Sequence, residues 1–172
     1  MMEGIVIRSA TLEDAGDIQK IYSYYVENTA ISFEYTAPDV DEIKRRIEET
    51  LKDYPYLVAV SDGSVVGYAY AGRFHTRAAF LYSAELSIYI DKEWRGNGLG
   101  KELYNKIESI LSEKKIKRVY ASIAASDEND CFVTDASLRF HITMGYKQVA
   151  RFHKCGFKFG NWYDLIYVEK NL

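Results

Sequence analysis

The sequence predicts a single mixed α+β domain that spans residues 1–172. A chain of 172 residues is long enough for one domain with a core and short for two. Apolar residues recur at helical spacing near the N-terminus, and the middle of the chain changes to the shorter period of strands. Since no repeat, linker or low-complexity tract divides the chain, helices and strands are expected to share one core.

The first third of the chain predicts one strand and two helices. Residues 5–8 form a short apolar strand pattern, and Thr11 followed by Asp14 resembles a capping box that opens a helix. The second helix opens at Asp39, and Pro55 marks its end. The buried face of the first helix is predicted from residues at helical spacing: Ile18, Ile21, Tyr22, Tyr25 and Val26.

The rest of the chain alternates between strand and helix patterns. A hairpin is predicted from residues 56–71 around the turn Ser61-Asp62-Gly63-Ser64. Its successor, residues 80–90, is the longest strand candidate, with mostly apolar side chains at even positions. The remaining predicted elements are a helix with Leu99, Leu103, Ile107, Ile110 and Leu111 on one side, a strand at 116–124, a short helix at 135–144 ended by Gly145, and strands at 149–152 and 162–168.

Composition excludes several classes of protein. The formal net charge of -3 gives no support for nucleic-acid binding, which usually needs a basic surplus. The N-terminus has neither the apolar run of a signal peptide nor that of a membrane span. Cys131 and Cys155 show no metal-ligand spacing, so we expect no metal and a reduced, cytoplasmic protein.

The stretch RGNGLGKELY, from Arg95 to Tyr104, carries three glycines at alternate positions before a helix, as phosphate-binding loops often do. A Walker A loop is excluded, because only three residues separate Gly96 from Gly100 and Glu102 replaces the required hydroxyl. A dinucleotide-binding fingerprint is also excluded, because its third glycine would stand one position later.

The same stretch matches [Q/R]-x-x-G-x-[G/A], the signature of the GNAT acetyltransferase superfamily. Glycines after a strand let successive N–H groups point into one concavity, and the helix N-terminus adds positive potential. Such a cradle suits the pyrophosphate of coenzyme A, with charge-assisted contacts from the two basic residues. The predicted cradle comprises Arg95, Gly96, Asn97, Gly98, Leu99, Gly100 and Lys101.

Three longer stretches resemble the phosphinothricin-acetyltransferase-like branch of this superfamily: SAELSIYIDKEWRGNGLG, ASLRFHITMGY and GFKFGNWYDLIYVEKNL. The resemblance covers most of the chain from about Gly67 onward. It implies a GNAT fold, which is a mixed, strongly bent sheet that splays at its centre with acetyl-CoA in the gap. It also implies a homodimer and a small-molecule amine as the acceptor, whereas the net charge and the N-terminal sequence predict no nucleic-acid or membrane partner.

Catalytic residues follow from this resemblance. Transfer to an alkylamine needs a base, because such an amine is protonated near neutral pH. Glu85, on the polar side of the long strand, is the predicted general base. The resemblance places the pantetheine arm and the thioester carbonyl along Ile88-Tyr89-Ile90, and a pantetheine contact at Asp135. His141 stands where many relatives have a Tyr, and we expect it to act as general acid or only to bind coenzyme.

The acceptor pocket is predicted more coarsely. Arg77 resembles an element of this branch whose Arg clamps a substrate carboxylate or phosphinate. Three aromatic residues are expected to wall the pocket: Phe33, Tyr35 and Tyr82. In the stretch that holds Lys158, Trp162 and Tyr163, the sequence does not separate substrate contact from packing.

The predicted function is N-acetyl transfer from acetyl-CoA to a small amino-acid-like amine. The alternatives are a peptide N-terminus, a polyamine or an antibiotic as acceptor, and a non-catalytic acyl-CoA-binding module. Transfer through a cysteine is disfavoured, because Cys131 lies in an acidic loop and neither cysteine has a base beside it.

Overall fold

The computed structural model describes residues 4–127 and 130–172. In chain order the strands and helices of these residues are β1 (Ile5–Ser9), α1 (Ala15–Asn28), α2 (Val40–Leu51), β2 (Tyr56–Ser61), β3 (Ser64–Arg73), β4 (Ser83–Ile90), α3 (Leu99–Glu113), β5 (Arg118–Ala125), α4 (Ala136–Thr143), β6 (Lys147–Lys158) and β7 (Asn161–Asn171). The predicted mixed α+β class is confirmed.

The strands form one sheet in the order β1-β2-β3-β4-β5-β7-β6. Every neighbouring pair is antiparallel except β4 and β5. Those two parallel strands pair through only three positions, the last of which joins Glu85 to Tyr120. Beyond it, β4 runs on to Ile90 along β3, and β5 runs on to Ala125 along β7. The sheet therefore splays at its centre, as the family resemblance implies.

The two faces of the sheet carry separate apolar cores. The face under α3 packs against its predicted stripe, in which Leu99, Leu103, Ile107 and Leu111 are almost fully buried. The opposite face lies under α1 and α2. Strand β4 contributes to both, since successive side chains of a strand point to opposite faces. Ala84 and Leu86 face α3, whereas Tyr89 packs among the tyrosines of α1.

The predicted helix ends agree with the structure. The Asp14 carboxylate accepts from the Thr11 backbone N–H at 2.8 Å, and Asp39 accepts from the Glu42 N–H at 2.8 Å. Gly145, with φ of 89°, follows α4 in the left-handed conformation expected of a stop residue. No helix among residues 4–127 and 130–172 is long and apolar enough to cross a membrane.

Three strand predictions were wrong in extent. Residues 80–82 do not extend β4, because Ala78–Phe80 form a 3-10 turn in which the Phe80 N–H donates to Arg77 O at 3.0 Å. The last two strands are much longer than predicted and form the hairpin β6–β7. Register shifts interrupt this hairpin between Phe152 and Gly156 and near Gln148. Such bulges break the two-residue period on which the prediction depended.

Candidate active site

A cavity of about 410 Å³ opens where β4 and β5 separate. Its walls come from both strands, from α1 and the loop that follows it, and from α3 and α4. The lining residues are Tyr22, Ile31, Ser32, Phe33, Glu34, Leu86, Ser87, Ile88, Tyr89, Tyr104, Ala121, Ser122, Ile123, Ala124, Thr134, Ser137, His141 and Leu165.

Glu85 lies at the vertex of the splay. It is the last residue of β4 that pairs with β5, so the gap begins immediately after it. Its half-buried carboxylate accepts a hydrogen bond of 2.7 Å from the Ser122 hydroxyl, and Ser122 belongs to the cavity wall. A carboxylate held by one neutral donor has remaining lone pairs for another proton donor. Glu85 is therefore oriented beside the cavity, and no basic side chain among residues 4–127 and 130–172 forms an ion pair with it.

The edge of β4 presents a backbone donor to the gap. The Asp91 N–H donates to Val66 O of β3 at 3.0 Å, and alternate residues of an antiparallel strand bond to the same neighbour. By this alternation the N–H groups of Ile88 and Ile90 point away from β3. The Ile90 N–H donates to the Tyr25 hydroxyl, which in turn donates to Ile90 O at 2.6 Å. Of the three predicted residues, Ile88 therefore has the N–H that faces the gap.

The three glycines of the predicted cradle have different structural roles. Gly96 and Gly98 have φ of 78° and 83°, a conformation that glycine adopts without the strain of a side chain. Gly98 is also the N-cap of α3. Gly100 instead allows close packing, because a Cβ there would lie 3.2 Å from the Phe140 ring. The left-handed N-cap leaves the first N–H groups of α3 without intrahelical acceptors, an arrangement that suits an anion.

Basic side chains border this turn. The Arg95 guanidinium lies over the rings of Tyr25 and Tyr24, at 4.9 and 5.3 Å from their centroids. Lys101 is exposed in the first turn of α3. Leu99 is 1% exposed, so its side chain belongs to the core and only its backbone is available to a ligand. The Asp135 carboxylate is directed along its own helix, where it pairs with Arg139 at 2.9 Å.

His141 forms a buried pair with Tyr104 in the cavity wall. Its Nδ1 lies 2.8 Å from Ser137 O, which only accepts, so Nδ1 carries a proton. Nε2 lies 2.8 Å from the Tyr104 hydroxyl. Burial lowers the pKa of His141 and raises the pKa of Tyr104, so both groups are neutral near pH 7. In that state Nε2 accepts a hydrogen bond from the Tyr104 hydroxyl.

The predicted acceptor residues separate into two groups. Phe33 lies in the wall of the cavity. Tyr35 and Tyr82, with 73% and 57% of their surface exposed, lie outside that wall, as does the exposed Arg77 that precedes the 3-10 turn. Of the stretch that the sequence left undecided, Lys158 is buried and Trp162 is exposed.

Several polar residues of the wall were not predicted. Glu34 accepts hydrogen bonds from the Tyr22 hydroxyl at 2.9 Å and from Arg46 Nη1 at 2.8 Å. Tyr104 continues the helical pattern of α3 and is indistinguishable in sequence from a core aromatic residue. Ser122 occupies an ordinary strand position. Only the splay, which the resemblance implied, indicated that side chains of β5 would line the cavity.

A comparison with protein-family models matches residues 7–167 to the acetyltransferase (GNAT) domain. This chain belongs to the GNAT acetyltransferase family. The predicted resemblance to the GNAT superfamily and the prediction of an N-acetyltransferase are thereby confirmed.

Curated relatives place the acetyltransferase near one branch of the family. It is 31% identical to phosphinothricin N-acetyltransferase of Alcaligenes faecalis over 167 residues, which cover 96% of this chain and 82% of that protein. It is 30% identical to the L-methionine sulfoximine/L-methionine sulfone acetyltransferase of Salmonella typhimurium, covering 98% and 95% of the two chains.

Solved structures have the same fold. A phosphinothricin acetyltransferase from Sinorhizobium meliloti, solved in complex with AcCoA, matches with a TM-score of 0.89 at 30% identity. The match covers 98% of this chain and 89% of that one. The splayed sheet is therefore shared with an acetyltransferase whose structure contains the acetyl donor.

Proposed function

We propose that this acetyltransferase moves an acetyl group from acetyl-CoA to the amine of a small amino-acid-like substrate, of the phosphinothricin or methionine-sulfoximine kind, with Glu85 as general base. One observation carries the proposal. The splay of β4 and β5 begins at Glu85, whose carboxylate is oriented by Ser122 beside the cavity. The alternatives are a peptide N-terminus, a polyamine or an antibiotic as acceptor, and a non-catalytic acyl-CoA-binding module.

The residues present fit acetyl-CoA. The left-handed N-cap at Gly98 and the first turn of α3 suit a pyrophosphate, with Arg95 and Lys101 close enough in sequence to contribute charge. The free edge of β4 at Ile88 suits the amides of a pantetheine arm, which hydrogen-bond as a strand does. When bound, acetyl-CoA supplies the acetyl group as a thioester. The exposed Asp135 pairs with Arg139 through one carboxylate oxygen, so its other oxygen can accept from an amide of the arm.

Glu85 accepts the proton that the attacking amine must lose. The amine nitrogen forms a bond to the thioester carbonyl carbon, the carbon–sulfur bond breaks, and the amine proton passes to Glu85 directly or through one water. The Ile88 N–H donates to the carbonyl oxygen, on which negative charge develops. Ser122 keeps the Glu85 carboxylate in place. Glu85 therefore receives a proton without forming a covalent bond to the substrate.

We infer that His141 and Tyr104 lie near the departing sulfur, because both residues line the cavity. Neutral His141 has its Nδ1 proton engaged by Ser137 and its Nε2 engaged by Tyr104, so it has no free proton to donate. The geometry therefore favours His141 as the residue that orients Tyr104, whose one hydroxyl proton is donated to Nε2 in this arrangement. An alkyl thiol has a pKa of about 8.5, so the sulfur can leave as a thiolate and take its proton from water.

Glu85→Gln tests the proposed mechanism. Glutamine keeps the shape but not the basicity, so we expect kcat with methionine sulfoximine to fall by roughly 10²- to 10⁴-fold. Coenzyme affinity, measured by calorimetry, should be unchanged. Glu27→Gln, on the exposed surface of α1, is the matched control and should retain full turnover. Unchanged turnover in Glu85→Gln would remove Glu85 from its role, and absence of turnover in the wild type with coenzyme bound would favour the non-catalytic alternative.

We also propose that the enzyme is a homodimer. Strand β6 lies at the edge of the sheet and exposes Val149, Phe152 and Phe157. Edge strands with apolar side chains are usually covered. A groove of about 710 Å³ beside this strand is lined by Phe74, Tyr120 and Tyr167 among others. Light scattering should give roughly twice the chain mass of 19.8 kDa. A mass equal to one chain would contradict the dimer.

A further inference from the structure

Lys158 is buried without an acidic partner. It is 3% exposed, and its Nζ donates to Val26 O at 2.7 Å and to Ser32 O at 2.6 Å. In the described part of the chain, no carboxylate lies within 4.0 Å of this ammonium. The pKa of Lys158 is lowered by burial, and the negative charge of Glu34 offsets only part of this shift. A buried amine loses its hydration, which costs free energy. The hydrogen bonds to the two carbonyl groups offset this cost.

Lys158 belongs to a turn that contacts one loop repeatedly. We call residues 29–35 the acceptor loop and residues 156–160 the hairpin turn. The Tyr35 hydroxyl donates to Phe157 O at 2.6 Å, which joins the far end of the acceptor loop to the hairpin turn. Gly156 leaves room for Phe33, since a Cβ at Gly156 would lie 2.6 Å from the Phe33 ring. The hairpin turn therefore contacts the acceptor loop at three places: Lys158, Phe157 O and Gly156.

The acceptor loop forms one wall of the active-site cavity. Four consecutive residues, Ile31 to Glu34, line it. Ser32 connects the two sides of the loop directly. Its carbonyl is held by Lys158, and its hydroxyl hydrogen-bonds to the Tyr22 hydroxyl at 2.9 Å inside the wall. Tyr22 in turn donates to Glu34. A displacement of the Ser32 backbone would therefore move polar groups of the cavity.

We propose that Lys158 is a positioning residue of the acceptor pocket, which fixes the acceptor loop and so sets affinity for the amine substrate without contacting it. The proposal rests on the proposed function, because it assigns this wall to the amine. In the described part of the chain, the glycine turn (residues 95–101) and α3 make none of these contacts. Loss of Lys158 should therefore raise the KM of the amine and leave the affinity for the coenzyme nearly unchanged.

Hydrogen exchange tests the positioning role without requiring activity. In Lys158→Met, which keeps the length of the side chain and removes its donors, amides of residues 29–35 should exchange at least about tenfold faster. Amides of α3 should keep their protection. Lys147→Met, an exposed lysine of the same strand, is the matched control and should leave both segments unchanged. Undiminished protection of the acceptor loop in Lys158→Met would overturn the proposal.

Steady-state kinetics tests the consequence for the amine. We expect Lys158→Met to raise the amine KM about tenfold or more and to leave coenzyme affinity within about twofold. A parallel loss of coenzyme affinity, or an unchanged amine KM despite faster exchange, would contradict the proposal. If the wild type acetylates no amine, the proposed function fails, while the exchange experiment still measures whether Lys158 holds the loop.

A second variant keeps the test valid if Lys158→Met does not fold. Tyr35→Phe removes one hydroxyl from a side chain that is 73% exposed, so folding should be preserved. It deletes the hydrogen bond to Phe157 O and keeps the ring. The amine KM should rise roughly two- to fivefold, with faster exchange at the end of the acceptor loop. Wild-type values for both measurements would contradict the role of the hairpin turn.

Discussion

The proposed coenzyme contacts of the glycine turn come from consecutive residues 95–101, whereas the contacts of the proposed acceptor loop join groups that lie more than 120 positions apart in the chain. The glycine turn depends on backbone conformation, namely two left-handed glycines and a helix N-terminus. The acceptor loop has little regular structure and is held by a distant hairpin turn. A local motif identifies the glycine turn, and only the folded chain assembles the acceptor loop with its contacts.

The two regions depend on different chemical groups. A pyrophosphate cradle depends on N–H groups, so many side chains are compatible with it. The proposed acceptor loop instead lines the cavity with side chains such as Phe33 and Glu34, and small changes in any tether would alter its shape. We therefore expect substitutions in the two regions to affect different substrates.

Of the substitutions that compare the glycine turn with the acceptor loop, Gly98→Val is expected to have the largest effect. With φ of 83° and no atom within 4 Å of the position that a Cβ would take, Gly98→Val introduces backbone strain of about 1–3 kcal/mol and distorts the cradle. Coenzyme affinity should fall roughly tenfold to 100-fold by calorimetry. Gly63→Val is the matched control, because Gly63 has φ of 82° and an equally open surrounding in the β2–β3 turn. If both variants bind coenzyme equally, the cradle is not at Gly98.

A smaller effect, on the amine instead of the coenzyme, is expected at Gly156. Gly156→Ala places a Cβ against the Phe33 ring, and the ring must move because the separation would be 2.6 Å. The amine KM should change about threefold while coenzyme affinity stays constant. Gly16→Ala, in open space on α1, is the control and should change neither constant. A loss of coenzyme affinity in Gly156→Ala would show that the acceptor loop and the coenzyme site are coupled.

Much of the fold could be predicted from local pattern. The stripe of α3 and the caps at Asp14 and Asp39 depend on neighbours a few residues away, and each is confirmed. The beginning of β4 could not be, since the apolar residues Phe80 and Tyr82 fit a strand period that the 3-10 turn interrupts. The long β6–β7 hairpin escaped prediction because its bulges shift the period.

The site divides in the same way. Residue spacing and family resemblance pointed to Glu85 and the glycine turn. The hydrogen bond between Tyr104 and His141 and the contacts of Lys158 could not be predicted, because each joins residues at least 37 positions apart. Lys158 was recognised only as part of a similar stretch, and burial is what distinguishes a positioning lysine from a substrate contact.

The most direct test of the proposed function is an acceptor panel with thiol release as the readout. Acetyl-CoA and the wild-type enzyme are mixed with phosphinothricin, methionine sulfoximine, short peptides or polyamines at equal concentration. We expect the two amino-acid analogues to be turned over, with one thiol released for each amine acetylated, and the peptides and polyamines to remain near background. Turnover of peptides or polyamines with none of the amino-acid analogues would contradict the proposed function.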